Sequence, residues 1–158
     1  MQEGVFRLSA AYSGSVSATP GAFGLERLRS LQLFRPTSGM WANLGMRIVE
    51  AREGEAVVEG DFSLAAHGHG ESIHRGALAA LADGALACAA GTLIDEGEVA
   101  TTAELALDFY TPIHPGIVVA RGVVRDRAGH LVYCAATVEQ DSEIVAEARA
   151  TIALVRPA

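Results

Sequence analysis

Between Arg75 and Asp95 the chain carries a single charged side chain, Asp83. The intervening Gly76–Ile94 stretch is rich in Ala and Leu and has no Pro, which predicts a helix of about five turns. A surface helix of that length normally shows several charges along its polar face. This one shows one carboxylate, so most of it must be buried. Taking a carboxylate out of water with no cationic neighbour in sequence is costly. Asp83 is therefore the first candidate for catalysis.

Helical geometry turns roughly 100° per residue. That places Leu78, Leu81, Ala85, Ala89 and Leu93 on one stripe, with Leu86 and Cys88 at its edges. This is the expected core face. Asp83 projects the opposite way, among Gly76, Ala80, Ala87 and Ala90, with Ile94 at the far end. A face of such small residues lets a backbone or a slim ligand approach closely.

The 158 residues are half hydrophobic and one fifth charged, the composition of a globular protein with a sizeable core. The net charge of −7 argues against a nucleic-acid or anionic-membrane surface. All twelve basic residues are Arg. Cys88 and Cys134 stand far apart in apolar settings and are expected as buried free thiols. The Met1–Arg7 start lacks a basic region followed by an apolar run, so no secretory signal is expected and the cytoplasm is the expected compartment. The Ala-rich composition and central Asp argue against a membrane-spanning role for the 76–94 segment.

Along the chain, the first twenty residues are rich in Ser, Ala and Gly and are expected to be loose. Residues 22–34 fit a short amphipathic helix within an N-terminal extension of residues 1–40, the remainder (41–158) forming the main domain. Phe34, Met40 and Trp41 are expected to pack that extension against the core or a ligand tunnel. Residues 44–51 and 56–62 flank a Glu-Gly step and predict a hairpin. A His- and Gly-containing loop over 64–72 leads into the long helix. Beyond Gly97 the period changes to two, predicting four strands, one ending near Pro112 and the others covering 117–124, 131–138 and 143–155. Strands, one long helix and then more strands indicate an α+β fold with the helix packed on an antiparallel sheet.

The string His67-Gly-His-Gly-Glu-Ser-Ile-His74-Arg-Gly76 is followed at fixed distance by Leu81-Ala82-Asp83. Together with Thr101-Thr102 and the strand that ends at Pro112, it resembles the hotdog-fold thioesterases of the phenylacetate-pathway type. The likeness covers residues 41–156. It implies a hotdog fold, a long central helix wrapped by an antiparallel sheet, and hydrolysis of an acyl-CoA thioester to a free acid and coenzyme A. In that family the residue after the motif His is usually Gly; here it is Arg75. The family's Asn falls on Gly68, or near His67 if one gap is allowed, which makes these two the implied substrate-binding positions.

The resemblance further implies that the thioester carbonyl sits at the N-terminus of the central helix. There the Arg75 and Gly76 amides form the oxyanion hole, aided by the helix dipole. Asp83 then attacks the carbonyl or activates a water, and both routes stay open. Thr102 matches a hydroxyl position near the reacting water, and His74 orients the loop. Family sites lie between subunits, so a homodimer or homotetramer is implied, with Asp83 facing the Arg75 region of the other copy. Arg121, Arg125 and Arg127 are candidates for the phosphates of coenzyme A, since guanidinium suits phosphate oxygens. No metal or redox cofactor is implied; coenzyme A enters as part of the substrate. The alternatives are a non-catalytic acyl-CoA-binding hotdog module and, ranked lower, a hotdog dehydratase, which usually pairs an Asp with a nearby His.

Overall fold

The computed structural model describes residues 22–157; the expectation for the first twenty residues lies outside them. Helix α1 (Phe23–Ser30) and the short α2 (Gly39–Asn43) precede the hairpin β1 (Arg47–Arg52) and β2 (Glu55–Phe62). One helical turn, α3 (Leu64–His67), and a small two-stranded hairpin, β3 (Gly68–His69) with β4 (Ser72–Ile73), occupy the stretch expected as plain loop. The long helix α4 (Arg75–Gly91) follows. Strands β5 (Val99–Phe109), β6 (Gly116–Ala128), β7 (Leu131–Gln140) and β8 (Glu143–Val155) complete the fold. Among the described residues no helix is long and apolar enough to cross a membrane.

The main sheet has the order β1-β2-β6-β7-β8-β5, with every pairing antiparallel. Helix α4 packs across it, which is the hotdog α+β arrangement. Alternation along the strands decides which residues meet the helix. On β6, Val118 and Ala120 are fully buried while Arg121 between Ala120 and Gly122 is exposed. A Cβ on Gly122 would stand 2.4 Å from the Ala85 carbonyl oxygen, so sheet and helix backbones touch there. Only glycine permits that approach.

Leu78, Leu81, Ala85 and Ala89 of the stripe are buried as the periodicity requires, and Leu93 at its end, past the helix, is half-buried. Burial extends further round α4 than that stripe, however. Ala90 and Ile94, expected on the Asp83 face, are buried. The cause is α1, which docks on the C-terminal half of α4. The Gly24 amide donates to the Ile94 carbonyl at 3.1 Å, and a Cβ on Gly24 would stand 2.2 Å from the Gly91 carbonyl oxygen. Trp41 and Met46 cover Gly84 in the same way. Trp41 thus packs against the core as expected, whereas Phe34 (54 % exposed) and Met40 (65 % exposed) do not. These two follow α1 on a segment that runs over the surface, where no deeper layer exists to receive them.

Candidate active site

After these contacts one flank of α4 remains open. It carries Ala79, Ala80, Asp83 and Ala87, all half-buried, and faces the edge strand β5. Register with β8 aligns Thr102, Leu105, Leu107 and Phe109 with the buried Ile152, Ala150, Ala148 and Ala146, so these side chains point to the helix side of the sheet. A bulge between Thr102 and Glu104 resets the alternation and puts Thr102 and Leu105 on the same face.

Thr102 Oγ1 donates to Asp83 Oδ1 at 2.7 Å. Among the described residues this is the one hydrogen bond to the Asp83 carboxylate, and no Arg or His pairs with it. The buried-charge problem is thus met by partial exposure and a hydroxyl donor rather than by a salt bridge. Oδ2 has no hydrogen-bond partner among the described residues. The Asp83 charge also reaches Cys88: burial pushes that thiol up to about 12, and the carboxylate adds to the shift. Cys88 is therefore a protonated, inert core residue. Cys134 is pushed up to about 11 by burial alone.

At the N-terminus of α4, His74 is the N-cap. Its Nδ1 accepts from the Gly76 amide at 2.9 Å, its carbonyl accepts from Ala77, and its own amide donates to the His67 carbonyl at 2.8 Å. The Gly76 amide, expected as one of two oxyanion donors, is thus occupied by the imidazole. The ring lies so close that a Cβ on residue 76 would stand 2.8 Å from Nδ1. The Arg75 amide meets no acceptor among the described residues. The Arg75 side chain is exposed and its guanidinium lies 5.3 Å from the centre of the Phe109 ring. It therefore leans across to the end of β5.

His67 is consumed by structure. Its Nδ1 accepts from the Ser63 amide at 3.0 Å and its Nε2 bonds the Asn43 carbonyl at 2.6 Å, which requires the proton on Nε2. Gly68 pairs with Ile73 in the small hairpin, and a Cβ there would stand 2.4 Å from the Leu64 carbonyl oxygen. In one chain neither residue offers a free polar side-chain atom to a ligand. Arg121 and Arg125 line a groove of about 630 Å³ on the sheet face that points away from α4. Arg121 faces Glu139 at 3.7 Å, and Arg127 turns onto the Gly129 carbonyl beyond it. Within one chain the structure brings none of the three to Asp83. No cluster of metal-ligating side chains occurs among the described residues.

Two features escaped the sequence reading. The His74–Gly76 capping bond is legible in principle, because a side-chain acceptor two residues before a helical amide is a cap signal. The reach of Arg75 to Phe109 has no local signal, since the two lie at opposite ends of an element pair.

The model of the thioesterase superfamily matches residues 70–147. None of the curated protein sequences matches the chain. Among solved structures, the PaaI protein of the phenylacetic acid degradation operon of E. coli is 28 % identical, with a TM-score of 0.65 over 71 % of this chain and 80 % of that one. A mutant of the phenylacetic acid degradation protein PaaI from Thermus thermophilus is 27 % identical, with a TM-score of 0.65 over 71 % of this chain and 95 % of that one. A phenylacetic acid degradation-related protein from Ralstonia eutropha is 22 % identical and shares the fold, with a TM-score of 0.72 over 84 % of this chain and 99 % of that one. The helix wrapped by an antiparallel sheet, the motif inside the matched span and these neighbours together support a PaaI-like hotdog thioesterase, a thioester hydrolase.

Proposed function

We propose that the protein hydrolyses acyl-CoA thioesters to a free acid and coenzyme A, with Asp83 as nucleophile or general base. The observation that carries the reading is the Thr102–Asp83 hydrogen bond. It orients a half-buried carboxylate on an otherwise alanine-lined flank and leaves one oxygen free to react. The exposed Arg75 amide at the positive end of α4 is the oxyanion donor. The Gly76 amide joins it when the His74 ring gives way. Nothing in this scheme calls on a metal or redox cofactor.

Asp83 and Arg75 lie eight residues apart on one helix, roughly 12 Å along its axis. A single carbonyl carbon cannot meet the carboxylate and that amide of the same chain at once. The reading therefore takes the amide from a second copy, as a homodimer or a pair of homodimers, with the open edge of β5 and the half-buried Leu105, Leu107 and Phe109 as the surfaces to be covered. The hydrogen-bond partner of Asp83 is a threonine and not a histidine, which favours hydrolysis over a dehydratase pairing.

The test is thiol release from aromatic, medium-chain and long-chain acyl-CoAs by wild type and Asp83→Ala. Turnover that falls by at least about a hundredfold in the variant supports the reading. Unchanged turnover removes Asp83 from the chemistry. Tight acyl-CoA binding by the wild type without turnover identifies a binding module instead.

A further inference from the structure

Beside the start of α4 lies a cleft of about 420 Å³, walled by β3, β4, the helix and the loop after β5. Its polar wall consists of His69, Ser72, His74, Arg75 and Thr111, the remainder being Ile73, Leu78, Pro112 and Ile113. No carboxylate lines it, although acidic residues outnumber basic ones by 19 to 12 in the chain. The Arg75 guanidinium has no hydrogen bond or ion pair among the described residues, and it is held in place over the Phe109 ring. Stacking on an aromatic face uses none of the guanidinium's N–H donors, so all of them remain for a ligand. Because His74 Nδ1 accepts the Gly76 amide, its neutral ring carries the proton on Nε2 and is a further donor. His69 stands edge-to-face with that ring, the centres 5.7 Å apart. Arg121 and Arg125, the arginines first considered for phosphate, lie on the opposite face of the sheet.

We infer that this cleft is an anion subsite of the thioesterase, in which Arg75 recognises a phosphate or carboxylate group on the substrate. The inference rests on the thioesterase reading of the Asp83 site, since the Arg75 amide that would hold the carbonyl belongs to the same residue. Two sources share this chemistry: a phosphate of the thiol carrier, or a carboxylate at the far end of the acyl group. Charge-assisted guanidinium bonds to such groups exceed ordinary hydrogen bonds in strength.

The experiment compares wild type, Arg75→Lys and Arg75→Gln on four thioesters: hexanoyl and mono-adipoyl esters, each on coenzyme A and on N-acetylcysteamine. The backbone amide survives in both variants, and the side chain's role is read from the difference in KM between esters rather than from the overall rate. For a carrier phosphate, Arg75→Gln raises KM at least about tenfold for both coenzyme A esters and spares both N-acetylcysteamine esters. For an acyl carboxylate, it raises KM for both adipoyl esters and spares both hexanoyl esters. Arg75→Lys recovers part of the loss in either case. Equal KM for wild type and Arg75→Gln on all four, or one uniform change across all four, overturns the inference. Should the wild type cleave none of them, hydrolysis fails as a reading. The subsite is then read by calorimetric titration with coenzyme A and with adipate. Weaker binding of either by Arg75→Gln sustains it, and equal binding overturns it.

Discussion

Thr102 on the edge strand holds Asp83 in the middle of α4 through a 2.7 Å hydrogen bond between side chains nineteen residues apart. The bond joins the two elements that border the open flank, so it fixes the carboxylate and the groove wall together. Replacing Thr102 by Val keeps the shape and removes the donor. We expect kcat to fall by about tenfold to a hundredfold with little change in KM, and Thr102→Ser to recover most of the rate. Steady-state thiol release on the three proteins decides it; a Val variant as fast as wild type removes Thr102 from the site.

His74 caps α4 through its ring, so its loss should register in stability before chemistry. His74→Ala is expected to cost about 1 kcal/mol, the usual worth of an N-cap. His74→Asn, whose side-chain oxygen can accept the same amide, should restore most of it. Chemical denaturation of the two variants is the check. Equal loss in both would mean that the ring's packing against His69, not the cap, is what matters.

Gly122 marks the closest approach of sheet and helix. A methyl group there would stand 2.4 Å from the Ala85 carbonyl oxygen and 2.6 Å from its carbon, backbone atoms that cannot swing aside. Gly122→Ala should lower stability by about 3 kcal/mol or reduce soluble yield outright. A melting temperature close to wild type would show that α4 can slide on the sheet.

The two thiols set an alkaline limit. Cys88 is raised from 9.0 to about 12 and Cys134 from 9.0 to about 11, both chiefly by burial. In the unfolded chain each ionises near its ordinary value, while the folded chain keeps the proton. The folded state then binds more protons, so stability falls as pH rises from about 9 towards 11 and 12. The contribution is fully present below about 9. Melting curves across that range should show the decline, and Cys88→Ala should flatten its upper part. Thiol-alkylating reagents at neutral pH should leave Cys88 unmodified until the protein unfolds.

Much of this architecture is written locally. An alternation of apolar and polar residues specifies each strand of the sheet, and an Ala-Leu run without charges specifies a buried helix, because side-chain periodicity is a property of neighbouring residues. Asp83 is conspicuous for the same reason: one carboxylate in an uncharged helix needs no partner structure to be noticed. The spacing from His74 to Asp83 carries the family likeness, since both residues sit on or next to one helix.

Packing between distant elements decides the rest. The burial of Ala90 and Ile94 depends on α1 arriving from far earlier in the chain, which no helical wheel contains. Occupation of the Gly76 amide follows from the ring orientation of His74, and the separation of Arg121 and Arg125 from Asp83 from the face of β6 on which they fall. The Thr102–Asp83 bond exists because a bulge in β5 turns the hydroxyl toward α4. Composition and period, being local, mark out the residues with unusual chemistry and the elements they ride on. Which of those residues meet is settled in the folded molecule alone, because contact between distant elements is set by how they pack.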